Sequence, residues 1–561
     1  MTFRTLPEAL DRAARSGQGY TFVDGGVETR RSYAELQQAS FGVGRSLVEA
    51  GLRRGDVVAL VLADAEPFLT SLFGASMAGL VPASLYPPVT AGGLDRYFDL
   101  TAGILRASGA KAVVTAAALV SGFEALRATC PELALVLSRE ALDAPALPPD
   151  AMPSLDDIAF VQFTSGSTSS PKGVALSHRN LSANVDAING PAGLGTSSED
   201  TALSWLPLYH DMGLVGMALG PLYSERPGIL LTPQAFVKRP AEWLKAISRY
   251  RGTISFAPNF AYDLSVRRVK DRDLEGLDLS CWRVAGCGAE PIHAPTLMAF
   301  AERFAPVGFR ATSFLPSYGL AEHVLAATFP PRGQLPRVEH IASDDLTKRR
   351  LATLAVGGGP SVPVVGCGRA LPGHAIRIVG EDGRELPDRE VGEIVLSGPS
   401  VMLGYYKDPA LTAETLRNGW LHTGDLGYLS DGELFVCGRA KDIIIVNGRK
   451  FHPQDLEWAV AELAGVRRGR VVAFGTTRQG ASDRVVIVAE PSGTVGAAAL
   501  AEGIRRRVGD ALGLYVDDVV SVPSGTIGRT TSGKVQRAAT KAKYESGGLV
   551  GDAADQAGLR A

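Results

Sequence analysis

The chain has 561 residues, of which 45% are hydrophobic and 21% are charged, as in ordinary globular proteins. This length predicts about three or four domain-sized units and leaves room for a large core. A formal net charge of −2 provides no electrostatic argument for a nucleic-acid partner or an anionic membrane surface.

The five cysteines are scattered along the chain and show no C-x-x-C spacing. An odd number without a secretory segment predicts reduced thiols in a cytoplasmic protein and argues against a zinc site. The first residues lack the apolar segment of a signal peptide, and no apolar run approaches the ~20 residues needed to cross a bilayer. We therefore expect a cytoplasmic protein with no membrane span.

Helical and strand patterns alternate over the first 130 residues. Short apolar runs bounded by turn residues separate segments in which apolar residues recur at helical spacing. Ser32 and Glu35 form a predicted capping box at the start of one helix. This βαβ rhythm predicts a parallel sheet. The helices are expected over 5–17, 33–51, 67–79, 92–108 and 115–129, and the strands begin at Asp56, Val81 and Ala112.

The segment 158–177 combines a buried strand with a loop of small residues. An apolar run from Ile158 to Phe163 is followed by the Thr/Ser/Gly loop 164–170 and then by Lys172. Inward-pointing backbone N–H groups, hydroxyls and a lysine would together suit a polyphosphate. The spacing is not that of the G-x-x-x-x-G-K-[ST] loop, because Gly173 follows the lysine. The residues alone leave a phosphate loop and a solvated turn equally open.

Polar loops follow several later strands of the same α/β pattern. In parallel α/β sheets, ligands lie beyond the carboxyl ends of the strands, which is where these loops fall. The strands are expected at 201–206, 252–260 and 281–286, with a similar pattern over 310–322.

The pattern changes at about residue 362. Shorter alternating strands separated by Asp/Gly turns, as in 374–379 and 433–437, predict a small antiparallel barrel or sheet. From Asp442 a last α/β unit begins, and the small polar residues from Gly547 predict a frayed tail.

Six motifs along the chain resemble those of the adenylate-forming ligases, the superfamily of acyl-CoA synthetases, fatty acyl-AMP ligases and luciferases. They occur in family order and at family distances from about residue 5 to 545. Through 204–214, 257–264 and 446–457 the chain most resembles the fatty acyl-AMP ligases. The motifs are 160–176, Gly288-Ala-Glu-Pro, Ser317-Tyr-Gly-Leu-Ala-Glu, Leu421-His-Thr-Gly-Asp-Leu-Gly, Gly438-Arg-Ala-Lys-Asp and Thr531-Ser-Gly-Lys-Val-Gln-Arg.

The resemblance implies an α/β fold in two parts. A large N-terminal adenylation (AMP-binding) domain, residues 1–440, would contain two α/β parallel-sheet subdomains and a small β-barrel-like subdomain. A mobile C-terminal α+β lid domain would occupy 441–545, followed by a frayed tail over 546–561. An extra segment at 332–366 lies where fatty acyl-AMP ligases carry an insertion, thought to hinder the domain rotation that exposes acyl-adenylate to CoA.

The resemblance also implies an ATP- and Mg²⁺-dependent acid–thiol ligase. A carboxylate is a poor electrophile, so these enzymes join it to AMP, release pyrophosphate and pass the acyl group to a phosphopantetheine thiol. The substrate would be a lipophilic carboxylic acid, and the acceptor would be an acyl carrier protein or CoA. The alternatives are a synthetase specialised for thioesterification of an acyl-adenylate and a binding protein without turnover.

The thiol acceptor stays open at this point. The insertion favours a carrier protein, whereas Lys172 and the overall pattern keep CoA close behind. Two positions depart from the usual superfamily pattern, because Ser169 replaces a glycine and Gly528 stands where a proline is common.

The nucleotide-binding residues follow from the motifs. Two like-charged reactants must meet, so the site needs cations and aligned donors. Glu322 would hold Mg²⁺, since a hard cation prefers carboxylate and phosphate oxygens. Asp425 would accept both ribose hydroxyls, supported by Arg439. The phosphates would contact Thr164, Ser165, Gly166, Ser167, Thr168 and Lys172. The adenine slot would be formed by Gly288, Ala289 and Glu290 with Tyr318, and the nucleotide would also be bound by Ser317, Gly319 and Leu320.

Three further residues correspond to moving or gating parts of the family. Lys534 would be the adenylation lysine, on a polar loop that can reach the carboxylate oxygen and the α-phosphate. Lys441 would be the hinge between the two domains. His210 would separate the acid pocket from the thiol channel, with a packed structural histidine as the alternative. The acid pocket is expected to be bounded by Tyr209, Met212, Phe256, Asn259, Phe260, Tyr262 and Gly288, although aromatic residues could equally be core.

Overall fold

The computed structural model describes residues 3–88, 94–148, 152–164, 171–357, 359–461, 463–477, 483–493, 495–529 and 535–549, without the side chains of Arg96 and Thr164. The structural statements that follow concern these residues. None of the helices in these ranges has both the length and the apolar character that a bilayer span requires.

A first seven-stranded sheet lies in the N-terminal half. In its interior strand Val57–Val61, alternate residues enter two separate hydrophobic clusters, one on each face, which explains the uninterrupted apolar run. Lys172–Ser177 pairs antiparallel with both of its neighbours, Gly404–Tyr405 and Ile158–Thr164. All other neighbouring strands of this sheet pair parallel. The strand order is Gly404–Tyr405, Lys172–Ser177, Ile158–Thr164, Val81–Ser84, Val57–Val61, Ala112–Thr115 and Leu135–Ser138. The helices of this half are Leu6–Ala14, Tyr33–Glu49, Ala65–Met77, Leu94–Ser108, Val120–Leu126 and His178–Asn189.

Capping boxes begin several of these helices. Ser32 accepts a hydrogen bond from Glu35 N while the Glu35 side chain accepts from Ser32 N, so the predicted capping box is confirmed. Ser177 and Asn180 form an equivalent arrangement at the helix that follows the strand Lys172–Ser177.

A second seven-stranded sheet packs its own aromatic core. All its strands pair parallel except the hairpin at one edge. The strand order is Phe314–Pro316, Val284–Cys287, Ile254–Ala257, Ala202–Ser204, Gly228–Leu231, Gly19–Asp24 and Val27–Ser32. The accompanying helices are the π-helix Met212–Leu219 and the α-helices Gly220–Tyr223, Pro233–Lys238, Ala241–Tyr250, Asn259–Arg268 and Ala294–Phe304.

Antiparallel structure follows these two sheets. The extra segment 332–366 forms a hairpin of Val338–Ala342 and Ser361–Val365, with a π-helical turn at Asp345–Arg349. The five-stranded sheet consists of Ala375–Val379, Gly392–Ser397, Trp420–Ser430, Leu416–Arg417 and Glu433–Arg439, beside the helix Pro409–Thr415. A smaller sheet joins Tyr318–Gly319, Ala326–Phe329 and Arg369–Ala370.

The residues after Asp442 form a separate α+β unit with its own hydrophobic cluster. Its strands are Ile444–Val446, Arg449–Phe451, Val466–Thr477, Asp483–Pro491 and Asp518–Ser521, and its helices are Pro453–Ala461, Ala497–Leu512 and Arg537–Glu545. We call residues 441–545 the lid and residues 1–440 the body. The predicted α/β fold class is confirmed, whereas the exact boundary at residue 440 stays a prediction. Within the predicted frayed tail 546–561, residues 550–561 lie outside the described ranges.

Some element boundaries differ from the sequence-based expectations. The helix expected over 115–129 is confined to Val120–Leu126, because Thr115 still belongs to a strand and Ala117–Leu119 form a 3-10 turn. The strand expected from Cys281 begins at Val284, because Trp282 N donates to Leu279 O in a turn.

Candidate active site

One large cavity lies between the body and the lid. Its volume is about 1380 Å³, and residues of both parts line it. On the body side it reaches Tyr318 and Asp425, and on the lid side it reaches Trp458 and Val535. A site built across two domains can change when one of them moves.

A hydrogen-bonded cluster of three side chains forms part of the wall. Tyr318 Oη donates to Asp425 Oδ2 at 2.8 Å, and Arg439 Nε lies 3.0 Å from Asp425 Oδ1. Asp425 and Arg439 are direct partners in neighbouring antiparallel strands, which fixes this pairing. Burial and the nearby Asp425 hold the pKa of Tyr318 well above its usual value, so the phenol stays a donor. The carboxylate keeps lone pairs for a diol, as a ribose offers.

The predicted adenine slot lies beside this cluster. All four residues of that prediction line the cavity, as do the predicted nucleotide-binding residues Ser317, Gly319 and Leu320. Ala289 has a φ of +67°, and a Cβ added at Gly288 would lie 2.9 Å from Ser317 O, so the backbone segments approach closely. Glu290 Oε1 accepts a hydrogen bond from Phe260 N at 2.6 Å. This bond links the slot to the helix Asn259–Arg268, which carries predicted acid-pocket residues.

Lys172 and Glu322 line the same cavity. Lys172 lies opposite Thr164 in paired strands, and Tyr405 Oη donates to Glu322 Oε1 at 2.8 Å. The predicted phosphate contacts Ser165, Gly166, Ser167 and Thr168 lie outside the described residues, as does the side chain of Thr164.

The residues around Glu322 fit a magnesium ion. Among the described residues, no group of three or more His, Cys, Asp and Glu side chains is arranged to hold a metal. Mg²⁺ commonly uses one or two protein carboxylates together with substrate phosphates, and Glu322 supplies such a carboxylate in the wall of the cavity that Lys172 also lines. A metal here would therefore be shared between the protein and a bound triphosphate.

Five of the seven predicted acid-pocket residues line the cavity: Met212, Phe256, Asn259, Phe260 and Gly288. The other two, Tyr209 and Tyr262, do not. Tyr262 is a core residue, because its side chain is fully buried and its hydroxyl donates to Gly286 O at 2.7 Å. Tyr209 is half-buried, and its carbonyl accepts a hydrogen bond from Gln162 Nε2.

Several apolar residues that the sequence reasoning missed complete the pocket. No local sequence pattern distinguishes them from residues of the hydrophobic core. They are Ile188, Leu194, Gly216, Leu325 and Phe329. His210 lines the cavity beside them, and its backbone N–H donates to Pro207 O.

The lid contributes both ends of the loop that carries the predicted adenylation lysine. Lys534 itself lies outside the described residues. Arg529 and Val535, which precede and follow the loop 530–534, line the cavity and form an isolated β-bridge. Gln536 N donates to Gly528 O at 3.0 Å, which closes the base of the loop.

The predicted hinge residue Lys441 also faces the cleft. It lies in a 3-10 turn directly after the strand that ends at Arg439. Burial lowers its pKa, and the neighbouring positive charge of Arg439 lowers it further.

Comparison with known proteins identifies the family. Residues 10–406 match the model of the AMP-binding enzyme family. The chain belongs to this family. The prediction of an adenylate-forming enzyme is therefore confirmed.

Relatives of this AMP-binding enzyme cover nearly its whole length. A protein of Caulobacter vibrioides, provisionally named as an acyl-CoA synthetase, is 39% identical over 97% of this chain and 96% of its own. The medium-chain-fatty-acid–[acyl-carrier-protein] ligase JamA of Moorena producens is 34% identical over 98% and 96%. A chain from a structural study of fatty acyl-adenylate ligases from E. coli and L. pneumophila superposes with a TM-score of 0.91, at 37% identity, over 97% of this chain and 98% of that one.

In this AMP-binding enzyme the lid is in contact with the body. The rings of His293 and Trp458 are 4.8 Å apart. Arg449 of the lid pairs with Asp344 of the extra segment at 3.3 Å, and Lys450 pairs with Glu381 at 3.2 Å. In this arrangement Arg529 and Val535, at the base of the loop 530–534, line the cavity.

Proposed function

We propose that this protein is an ATP- and Mg²⁺-dependent ligase that activates a lipophilic carboxylic acid as acyl-AMP and transfers it to a phosphopantetheine thiol. One observation carries the proposal. A single cavity contains the Tyr318–Asp425–Arg439 cluster, an apolar pocket and both ends of the loop that carries Lys534.

The chemistry follows from these positions. A carboxylate oxygen forms a bond to the α-phosphorus of ATP, the bond from that phosphorus to the bridging oxygen breaks, and pyrophosphate leaves. Asp425 would hold the ribose, while Lys172 would place positive charge beside the phosphates. A bound Mg²⁺ would neutralise charge on the phosphate oxygens. Lys534 would approach the carboxylate and α-phosphate from the lid, and the apolar pocket would align the acid.

An acyl carrier protein is the favoured acceptor. The ion pair between Arg449 and Asp344 ties the lid to the extra segment 332–366, which supports restricted lid rotation. The name of JamA is that of a ligase acting on a carrier protein. CoA is the second candidate, supported by the provisional name of the Caulobacter relative.

Acid-dependent exchange of pyrophosphate into ATP, with a panel of fatty and arylalkanoic acids, tests the first half-reaction. We expect K534A to abolish exchange while sparing thiol transfer from supplied acyl-AMP. K541A is the matched control, because Lys541 lies on the next helix and pairs with the exposed Glu545. Undiminished exchange by K534A would refute the role of the lysine, and no exchange by the wild type with any acid would refute the ligase.

The acceptor is tested with the same enzyme and its best acid. Purified protein receives ATP, the acid and either CoA or holo-acyl carrier protein, and the thioester is measured. We expect faster thioester formation on the carrier protein; formation of acyl-CoA alone would contradict the preference.

A further inference from the structure

Tyr405 contacts both charged side chains that are assigned here to the triphosphate and its metal. Its hydroxyl donates to Glu322 Oε1 at 2.8 Å, and Lys172 Nζ lies 5.3 Å from the centroid of its ring. The tyrosine is 8% exposed, so its ring is held within the wall of the cavity that it lines. No motif that identified the family by sequence contains this residue.

The backbone around Tyr405 joins the same two elements. Met402 N donates to Glu322 O at 2.9 Å, and Tyr406 N donates to Gly173 O, next to Lys172, at 2.7 Å. The short strand Gly404–Tyr405 thereby forms an edge of the first sheet and also contacts the Glu322 turn. The phenol is positioned between the two charges by these backbone contacts and by its own packing.

A neighbouring helix fixes this strand. Tyr405 N donates to Thr412 Oγ1 at 2.9 Å. Gly404 has a φ of +145°, and a Cβ there would lie 2.6 Å from Thr412 Cγ2, so only glycine permits this approach.

Each contact of the tyrosine has a clear physical effect. A donor bound to one carboxylate oxygen orients Glu322 and leaves its other oxygen for a hard cation. An ammonium over an aromatic face is attracted by the ring quadrupole, which restricts the positions open to Lys172.

We propose that Tyr405 is a positioning residue for the metal–triphosphate complex, orienting Glu322 through its hydroxyl and Lys172 through its ring. The proposal rests on the proposed function for the identity of the ligand. It concerns binding, so it can be tested without turnover.

The test measures Mn²⁺ binding in the presence of ATP, from the loss of the free Mn²⁺ signal in electron paramagnetic resonance. Y405F keeps the ring and removes the hydroxyl, so we expect roughly tenfold weaker Mn²⁺ binding, as for other outer-shell partners of metal ligands. Y405L also removes the aromatic face, so we expect ATP binding without metal to weaken in Y405L and to stay unchanged in Y405F. Y406F is the matched control, because Tyr406 is the next residue and packs against the other face of the sheet.

Three outcomes would overturn the proposal. They are Mn²⁺ binding by Y405F within twofold of wild type, an equal loss in Y406F, and a loss in Y405F that merely follows a lower thermal unfolding midpoint. If the wild type binds Mn²⁺ and ATP but exchanges no pyrophosphate with any acid, the ligase function fails. The comparison of Y405F with wild type still decides this proposal in that case.

Discussion

Arg537 follows the predicted adenylation lysine by three residues and connects the base of its loop to the interior of the lid. Its guanidinium donates to Asp442 Oδ2 at 2.8 Å and to both oxygens of Glu457 at 2.9 Å, and Nε donates to Ala473 O at 3.1 Å. Asp442 is the residue directly after the predicted hinge. The arginine therefore connects the hinge segment, the helix Pro453–Ala461 and the lysine loop.

Removing this arginine should lower the free energy of unfolding of the lid. The side chains of Arg537 and Glu457 are each only 15% exposed, so the loss leaves a largely buried carboxylate without its counter-ion. Breaking a buried pair in this way typically costs about 3–5 kcal/mol, and the partial exposure places our expectation for R537M at about 3 kcal/mol. Burial raises the pKa of Glu457, and Arg537 lowers it. Without the arginine the carboxyl group should therefore take up a proton more readily, so R537M should lower the free energy of unfolding less at acidic pH.

A double-mutant cycle with E457Q isolates the pair. Glu457 Oε1 also accepts a hydrogen bond from Ala473 N at 3.0 Å, which a glutamine oxygen can still accept. We expect the loss of unfolding free energy in the double variant to be about 2 kcal/mol smaller than the sum of the losses in the two single variants. Hydrogen exchange of peptides covering 453–461 and 537–545 reports lid stability separately from the body. K541A on the same helix should cost less than about 0.5 kcal/mol.

The same substitution should also affect catalysis, and the two half-reactions should respond differently. If Arg537 holds the lysine loop, R537M should reduce acid-dependent pyrophosphate exchange while thiol transfer from supplied acyl-AMP falls much less. A cost below about 0.5 kcal/mol for R537M, or no recovery in the double variant, would refute the reasoning from the buried pair.

Two further predictions concern single side chains. Y318F should raise the KM for ATP in the exchange assay roughly tenfold, because the bond from the hydroxyl to Asp425 orients that carboxylate, and an unchanged KM would contradict this role. Burial, and then the charge of Glu457, raises the pKa of Asp455 from 3.8 to about 7. The folded lid therefore keeps a proton that the unfolded chain has released, so the lid's free energy of unfolding should fall by up to about 4 kcal/mol as pH rises from about 4 to about 7. D455N should remove this dependence in urea unfolding, and an identical pH profile for wild type and D455N would refute it.

The features that could be predicted from the sequence are those that depend on neighbouring residues. The parallel sheets were predictable because buried strands such as Val57–Val61 are uninterrupted apolar runs between amphipathic helices. The capping box of Ser32 and Glu35 lies within one turn and needs no tertiary information. The family motifs are short loops of small and charged residues, and their chemistry can be recognised in sequence.

The acid pocket was predicted less well. Tyr262 and Phe260 lie on the same helix and have similar aromatic side chains, but Phe260 faces the cavity and Tyr262 bonds to Gly286 in the core. Neither composition nor spacing separates these positions, because the distinction depends on which face of the helix packs against the second sheet. The apolar lining residues Ile188 and Phe329 carried no signal for the same reason.

The sequence by itself determined the α/β class, the family and the chemical types at the nucleotide site, because periodicity and motif composition are properties of neighbouring residues. Only the tertiary structure decided which of those groups meet. Tyr318 and Asp425 are 107 positions apart and Glu322 and Tyr405 are 83 apart, yet each pair shares a hydrogen bond. Such contacts depend on how strands from different sheets are brought together, and a one-dimensional pattern does not contain that information.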